Sequence, residues 1–159
     1  MRYFPRRPLL RAVLALLLVP AVADAAPAAA PAQQSQQVQI SPNPLEFTAV
    51  SLRILAATDA GSSGQIWDNA SPVMKTIVTR DQFIKTIQQR ITQNGLVRNR
   101  AWRSIMRVQM AQPQGQLPSG NYLTVNFGGL NKDGKGVVET VSFVLDGDQQ
   151  WRVVGITLN

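Results

Sequence analysis

The chain has 159 residues, 45% of them hydrophobic and 16% charged, with a formal charge of +7 at neutral pH; this length suits one domain of ~150 residues with a short appendage. Cys and His are both absent. Those absences exclude disulfides, thiol nucleophiles, Cys/His zinc sites and imidazole acid–base chemistry, and with them most hydrolytic triads.

The N-terminal segment reads as a targeting sequence. Arg2, Arg6, Arg7 and Arg11 precede an uninterrupted apolar run, Ala12 to Val19, and Ala23-Asp24-Ala25 places small residues where a signal peptidase reads. Residues 1–25 are therefore expected to be a signal peptide cleaved after Ala25, giving a periplasmic or secreted product. The apolar run is too short for a transmembrane anchor, and there is no Cys to carry a lipid. Arg6-Arg7 also loosely matches a twin-arginine signal, which bears on the export route and not on the destination. The leader holds four of the sixteen basic residues and one of the nine acids, so its removal lowers the net charge from +7 to +4.

Residues 26–39, rich in Ala, Pro and Gln, carry no charge and little apolar bulk, and are expected to form a disordered linker. A single domain then fills 40–159. Leu45 to Ala57 places Phe47, Val50, Ile54 and Ala57 at helical spacing, and Gly61-Ser62-Ser63-Gly64 is expected to break that helix. Ile66 to Ala70 reads as a short helix ended by Ser71-Pro72. Thr79 to Asn94 carries the strongest helix signal. Thr79 and Gln82 make a capping box, Asp81 suits the positive end, Phe83, Ile84, Ile87 and Ile91 form the apolar stripe, and Asn94-Gly95 stops it.

Beyond Gly95 the period becomes two. Trp102, Met106 and Val108 are expected on the core face of a first strand, with Arg103 and Arg107 facing out. Tyr122 to Phe127 forms a second strand, Val137 to Leu145 a third and Trp151 to Leu158 a fourth, with turns at 131–136 and 146–148. A three-residue loop, Gly147 to Gln149, pairs Trp151 with Leu145, Val153 with Phe143, Gly155 with Val141 and Thr157 with Glu139. Helices followed by a meander specify α+β, with N-terminal helices packed in a curved four-stranded antiparallel sheet.

The order of these features carries a resemblance. A first helix is followed by Trp67 in a short helix and a capped helix ending near Arg90 and Gly95. Then come Arg98-Asn99-Arg100, Tyr122, Glu139-Thr140-Val141 and a final Gln150-Trp151-Arg152-Val153-Val154-Gly155. Over residues 46–159 this resembles the bacterial family called domain of unknown function 4019. The resemblance implies a cystatin-like, nuclear-transport-factor-like cone with a pocket at its mouth, usually behind a signal peptide. It implies no catalytic residues. Gly61-Ser62-Ser63-Gly64 departs from the aromatic-containing helix start the family leads one to expect.

Candidate chemistry is sparse. Glu139 shares parity with Val137, Val141 and Phe143 and so points coreward, where a carboxylate needs a partner. Arg98 or Arg100 would supply it, and Glu139, Arg98, Arg100 and Tyr122 together are the expected ligand-binding group at the pocket mouth. The preferred function is non-enzymatic binding of an unknown protein or small ligand in the cell envelope. The alternative is a pocket enzyme of isomerase or hydratase type, with Glu139 as base, Tyr122 as oxyanion donor and Asp68 as a further acid. A paired Glu139 over a closed floor favours binding; an open cavity with Tyr122 beside an unpaired acid favours catalysis. Arg103, Arg107 and Arg152 are expected as a basic stripe on the outer sheet face, a surface also open to homodimerisation. Trp102 and Trp151 are expected in the core. No cofactor or metal is expected. Gly128-Gly129 has no following helix, and Asp146-Gly147-Asp148 lacks the other ligands of a calcium loop. Nucleic acid is disfavoured by the modest charge and by the absence of aromatics interleaved with the arginines.

Overall fold

The computed structural model describes residues 42–159; the expected leader and linker lie outside the described residues. Helix α1, Pro44–Asp59, starts where Asn43 Oδ1 accepts a hydrogen bond from Leu45 N at 3.0 Å and Pro44 supplies a preset φ. It buries Ser51, Leu55 and Thr58 and ends at Gly61, whose φ of 79° suits glycine. Helix α2, Ser63–Asp68, begins inside the stretch expected to be a breaker. The turn needs only Gly61. Gly64 serves a different end: its missing side chain makes room for the Arg80 guanidinium, which reaches Asp68 at 2.9 Å.

A third short helix, α3, Pro72–Ile77, was not expected. Ser71-Pro72 reads as a stop, but Pro is equally favoured as the first helical residue. Here Ser71 Oγ caps by accepting from Val73 N at 3.1 Å. Helix α4, Arg80–Asn94, matches expectation in its capping box, its buried Phe83 and Ile87, and its termination at Gly95 with φ 70°.

Four strands follow: β1 Arg98–Met110, β2 Gly120–Leu130, β3 Gly136–Leu145 and β4 Trp151–Leu158. They form one antiparallel sheet in the order β1-β2-β3-β4, so the fold is α+β as expected. The core lies between the helices and one sheet face. Leu55, Met74, Phe83 and Ile87 meet Leu123, Val125, Phe127, Val141, Phe143 and Val153. The β4 edge is closed by the helices, with Ser71 N donating to Val153 O at 2.9 Å and Arg90 Nη1 to Ile156 O at 3.1 Å. The β1 edge carries Arg98, Arg103 and Arg107 and two irregularities, which deter pairing with another chain.

Two bulges change side-chain parity. In β1, Trp102 pairs with Phe127 but Ser104 pairs with Asn126, so Arg103 is the extra residue. Beyond it Ile105 and Arg107 lie opposite Val125 and Leu123 on the helix side, and Met106 and Val108 face outward. The expected parity of β1 is corrected accordingly. Met106 and Val108 are 53% and 46% exposed, and Arg107 leaves the outer face. Arg103 stays outside, over Gly128, and Arg152 stays outside opposite Val144. The expected three-arginine stripe thus loses its middle member. Trp102 keeps the helix-side orientation but is 54% exposed, because the helices do not reach the β1 edge there.

In the last hairpin, Asp146 and Gln150 close a three-residue loop with Gln149 at φ 63°, and Trp151 pairs with Leu145 and Val153 with Phe143 as expected. A bulge at Val154 then shifts the rest by one: Gly155 pairs with Ser142 and Thr157 with Thr140, not with Val141 and Glu139. The bulge lets Val153, Val154 and Ile156 all pack against the core.

Candidate functional site

Glu139, on β3, is 5% exposed and faces the helices. Its two carboxylate oxygens accept from Arg100 Nε at 2.5 Å and Arg100 Nη2 at 3.0 Å. The same guanidinium donates from Nη1 and Nη2 to Asp59, the last residue of α1, at 2.5 and 3.1 Å. One cation thus ties β1 to β3 and to the end of α1. The hydrogen bonds to Glu139 hold Arg100 well above its usual pKa against the opposing effect of burial, and Asp59 adds to this.

Asp59 was not anticipated, although it leaves a signal. An acid at a helix C-terminus faces the negative end of the helix dipole, and no basic residue lies in the last turn of α1. Such a residue calls for a cation from elsewhere in the fold.

Beside this cluster is a cavity of about 20 Å³, bordered by Thr58, Asp59, Ile87, Arg90, Glu139 and Ile156. It is the size of a water molecule, not of a substrate. Burial lowers the pKa of Arg90, opposed by the nearby charge of Glu139. With both oxygens of Glu139 engaged and no room for a reactant, the cluster is an internal clasp.

Tyr122 does not join it. Tyr122 pairs with Val108 and Val144 on the outer face, toward the other end of the sheet from Glu139. Its hydroxyl donates to Pro118 O at 2.8 Å, and burial raises its pKa. Arg98 is exposed and donates to Asn131 O at 3.3 Å. Of the four expected pocket-mouth residues, only Arg100 and Glu139 meet. The proposed base and oxyanion donor lie on opposite faces of the sheet. Asp68 is bound to Arg80 on the surface.

A roomier, apolar-walled concavity than this one lies elsewhere. A cleft of about 330 Å³ opens between α1, α2 and the β3–β4 hairpin. Val50, Ile54, Ile66, Phe143, Trp151 and Val153 make its apolar wall, and Gln65 and Asn69 stand at the polar side. Phe47 meets Phe143 edge-on at 5.1 Å and Trp151 at 5.5 Å, which fixes the aromatic floor. Arg152 also borders the cleft, but its charge is committed to Asp146 at 2.9 Å and Asp148 at 2.6 Å. Trp67 is used otherwise: its Nε1 donates to Val78 O at 3.0 Å, and Lys75 sits 5.2 Å over its ring.

Among the described residues no helix is long and apolar enough to cross a membrane. The model of a family described as "Protein of unknown function (DUF4019)" matches residues 50–156, and the chain belongs to that family. No curated protein matches the chain. The matched segment includes the Arg100–Glu139–Asp59 clasp and the whole lining of the cleft.

Proposed function

We propose that this member of the family is an exported, non-enzymatic binding domain whose cleft between α1, α2 and the β3–β4 hairpin takes a small, uncharged, largely apolar ligand. One observation carries the reading: the cleft of about 330 Å³ is walled by aliphatic and aromatic side chains. That volume lies at the lower end of the range of ligand sites, and such walls with a few polar groups at one side are their usual composition. Charge supports the uncharged class. Arg152, the one cation on the wall, already faces two carboxylates, so an anionic ligand gains little and a neutral one loses nothing. Gln65 and Asn69 offer amide groups to a hydroxyl or carbonyl on such a ligand. Export is supported by the basic, apolar and A-x-A order of residues 1–25, and N-terminal sequencing of the exported protein is expected to begin at Ala26; a mature chain beginning at Met1 overturns that part.

The binding test uses an uncharged naphthylamine dye and its anionic sulfonate analogue. The neutral dye is expected to bind with a fluorescence rise, and the anionic one much more weakly. Ala57 lines the cleft, so Ala57→Phe fills it and is expected to abolish binding while the far-ultraviolet dichroism stays unchanged. Equal binding by a folded Ala57→Phe variant, or none by the unaltered protein, overturns the proposal.

A further inference from the structure

Helix α1 is apolar on two sides. One side faces the core with Phe47, Val50, Ile54 and Leu55. The other side of such a helix is ordinarily polar. Helix α4 follows the rule, exposing Arg80, Asp81, Lys85, Gln88, Gln89 and Gln93. Helix α1 does not: it exposes Leu45, Ala49, Leu52 and Ala56, with Leu45 78% and Leu52 41% open. These positions are spaced four, three and four, the interval of a coiled-coil seam. The helix has three charged residues, Glu46, Arg53 and Asp59. Asp59 belongs to the clasp, while Glu46 and Arg53 flank the exposed stripe along one side, and neither is in an ion pair among the described residues.

We propose that this stripe is a self-association surface, on which α1 of a second copy of the chain packs antiparallel about a two-fold axis between Ala49 and Leu52. The pattern is self-complementary. Antiparallel pairing sets Leu45 over the partner's Ala56 and Leu52 over the partner's Ala49, a large residue against a small one in every layer. The small residues let the helix axes approach closely. The same arrangement brings Glu46 beside the partner's Arg53, and symmetry makes that two ion pairs. A parallel pairing sets Leu against Leu and Ala against Ala, leaving uneven layers, and gives the two charges no opposite partner. The match of charge and size under a two-fold operator identifies a second copy as the occupant, because an isologous interface must complement itself. This surface is distinct from the outer sheet face, which the sequence left open to homodimerisation.

Sedimentation equilibrium of the purified protein tests this over a concentration series. A dimer is expected, and Leu52→Asp, on an exposed position, is expected to give a monomer with unchanged helix content. Glu46→Arg or Arg53→Glu alone sets like charges together and is expected to weaken the dimer by about tenfold. The double variant Glu46→Arg/Arg53→Glu restores both ion pairs with reversed sign and is expected to recover the original affinity. The chain has no Cys, so mixing an Ala49→Cys protein with a Leu52→Cys protein under oxidation reports the register, and a cross-link between the two is expected. A monomer at every concentration overturns the proposal. So does a dimer that survives Leu52→Asp, or a double charge variant weaker than either single one.

Discussion

Arg100 on β1 grips both carboxylate oxygens of Glu139 on β3, although β2 runs between the two strands. The reach depends on Gly129 of β2. A side chain there would strike the Val97 methyl and come within 2.9 Å of Arg98 O. Without one, the start of β1 folds over β2, helped by the irregularity at Asn99, which sits at φ 54°. The arginine is thereby carried toward β3 and the end of α1.

The clasp predicts an ordered series of stability losses. Arg100→Met leaves the buried Glu139 carboxylate without its cation, and about 3–5 kcal/mol is expected to be lost in denaturant unfolding. Asp59 is further from the interior, with its side chain 22% exposed against 7% for Glu139. Asp59→Asn is therefore expected to cost about 1 kcal/mol. Arg100→Met/Glu139→Met removes both charges, and is expected to be less destabilised than Arg100→Met alone, because no orphaned charge remains. Equal losses for Asp59→Asn and Arg100→Met would refute the arrangement.

Gly128 and Gly129 are expected to differ sharply despite being neighbours. At Gly128 an added Cβ meets the guanidinium of Arg103, the far end of a flexible side chain on the outer face. The arginine swings away, so Gly128→Ala is expected to change stability by less than about 0.5 kcal/mol. At Gly129 the added Cβ meets a packed valine and a backbone carbonyl, neither free to retreat. Gly129→Ala is expected to cost about 1–3 kcal/mol. Thermal melts of the two variants decide it, and similar melting temperatures would contradict the packing over β2.

The same two strands indicate what a sequence can disclose. Helix α4 was legible because its signals are local: Thr79 and Gln82 cap, Phe83 and Ile87 bury, and Gly95 stops. The Glu139–Arg100 pair was legible because a coreward carboxylate must find a cation. The bulges at Arg103 and Val154 were not, since one extra residue is set by packing against other elements and leaves no local mark. Each shifts every later side chain to the other face, which is why Met106 and Arg107 exchange their expected sides. Helix α3 was hidden by reading Pro72 as an end when it is also a beginning. The cleft was invisible for a further reason: its wall draws on α1, α2, β3 and β4, and no single segment carries its pattern.

Acid is expected to loosen the β3–β4 hairpin through Asp148. Hydrogen bonds from Arg152, at 2.6 and 2.9 Å, lower its pKa to about 2. The unfolded value is about 3.9. A depressed folded pKa means that the contribution to stability is present above the unfolded value and is lost as pH falls through the folded one. Stability followed by Trp fluorescence is therefore expected to decline between about pH 4 and 2. In Arg152→Gln the largest cause of the depressed pKa is gone and only backbone hydrogen bonds such as that from Gln150 N remain, so most of this part of the decline is expected to disappear. An unchanged acid slope in Arg152→Gln would show that the pair does not act through Asp148.

Alkali is expected to act on the same outer face of the sheet, through Tyr122. Burial raises the pKa of its phenol, with the charge of Asp146 adding to the effect, and its hydroxyl donates to Pro118 O at 2.8 Å in the segment joining β1 and β2. A raised folded pKa means that the stabilisation is complete below the unfolded value, about 10, and is lost as pH rises through the folded value. Deprotonation also removes the only proton that bond can use. Tyr3 and Tyr122 are the two tyrosines of the chain, so the tyrosinate absorbance of a Tyr3→Phe protein reports Tyr122 alone. Its midpoint is expected above the ordinary phenol value, coincident with release of the 111–119 segment as seen by hydrogen exchange. Tyr122→Phe keeps the ring between Val108 and Val144, loses about 1 kcal/mol for the missing hydrogen bond at neutral pH, and sheds this alkaline transition. A midpoint at the ordinary value, or a transition that persists in Tyr122→Phe, would mean that the hydroxyl is not what holds the segment down.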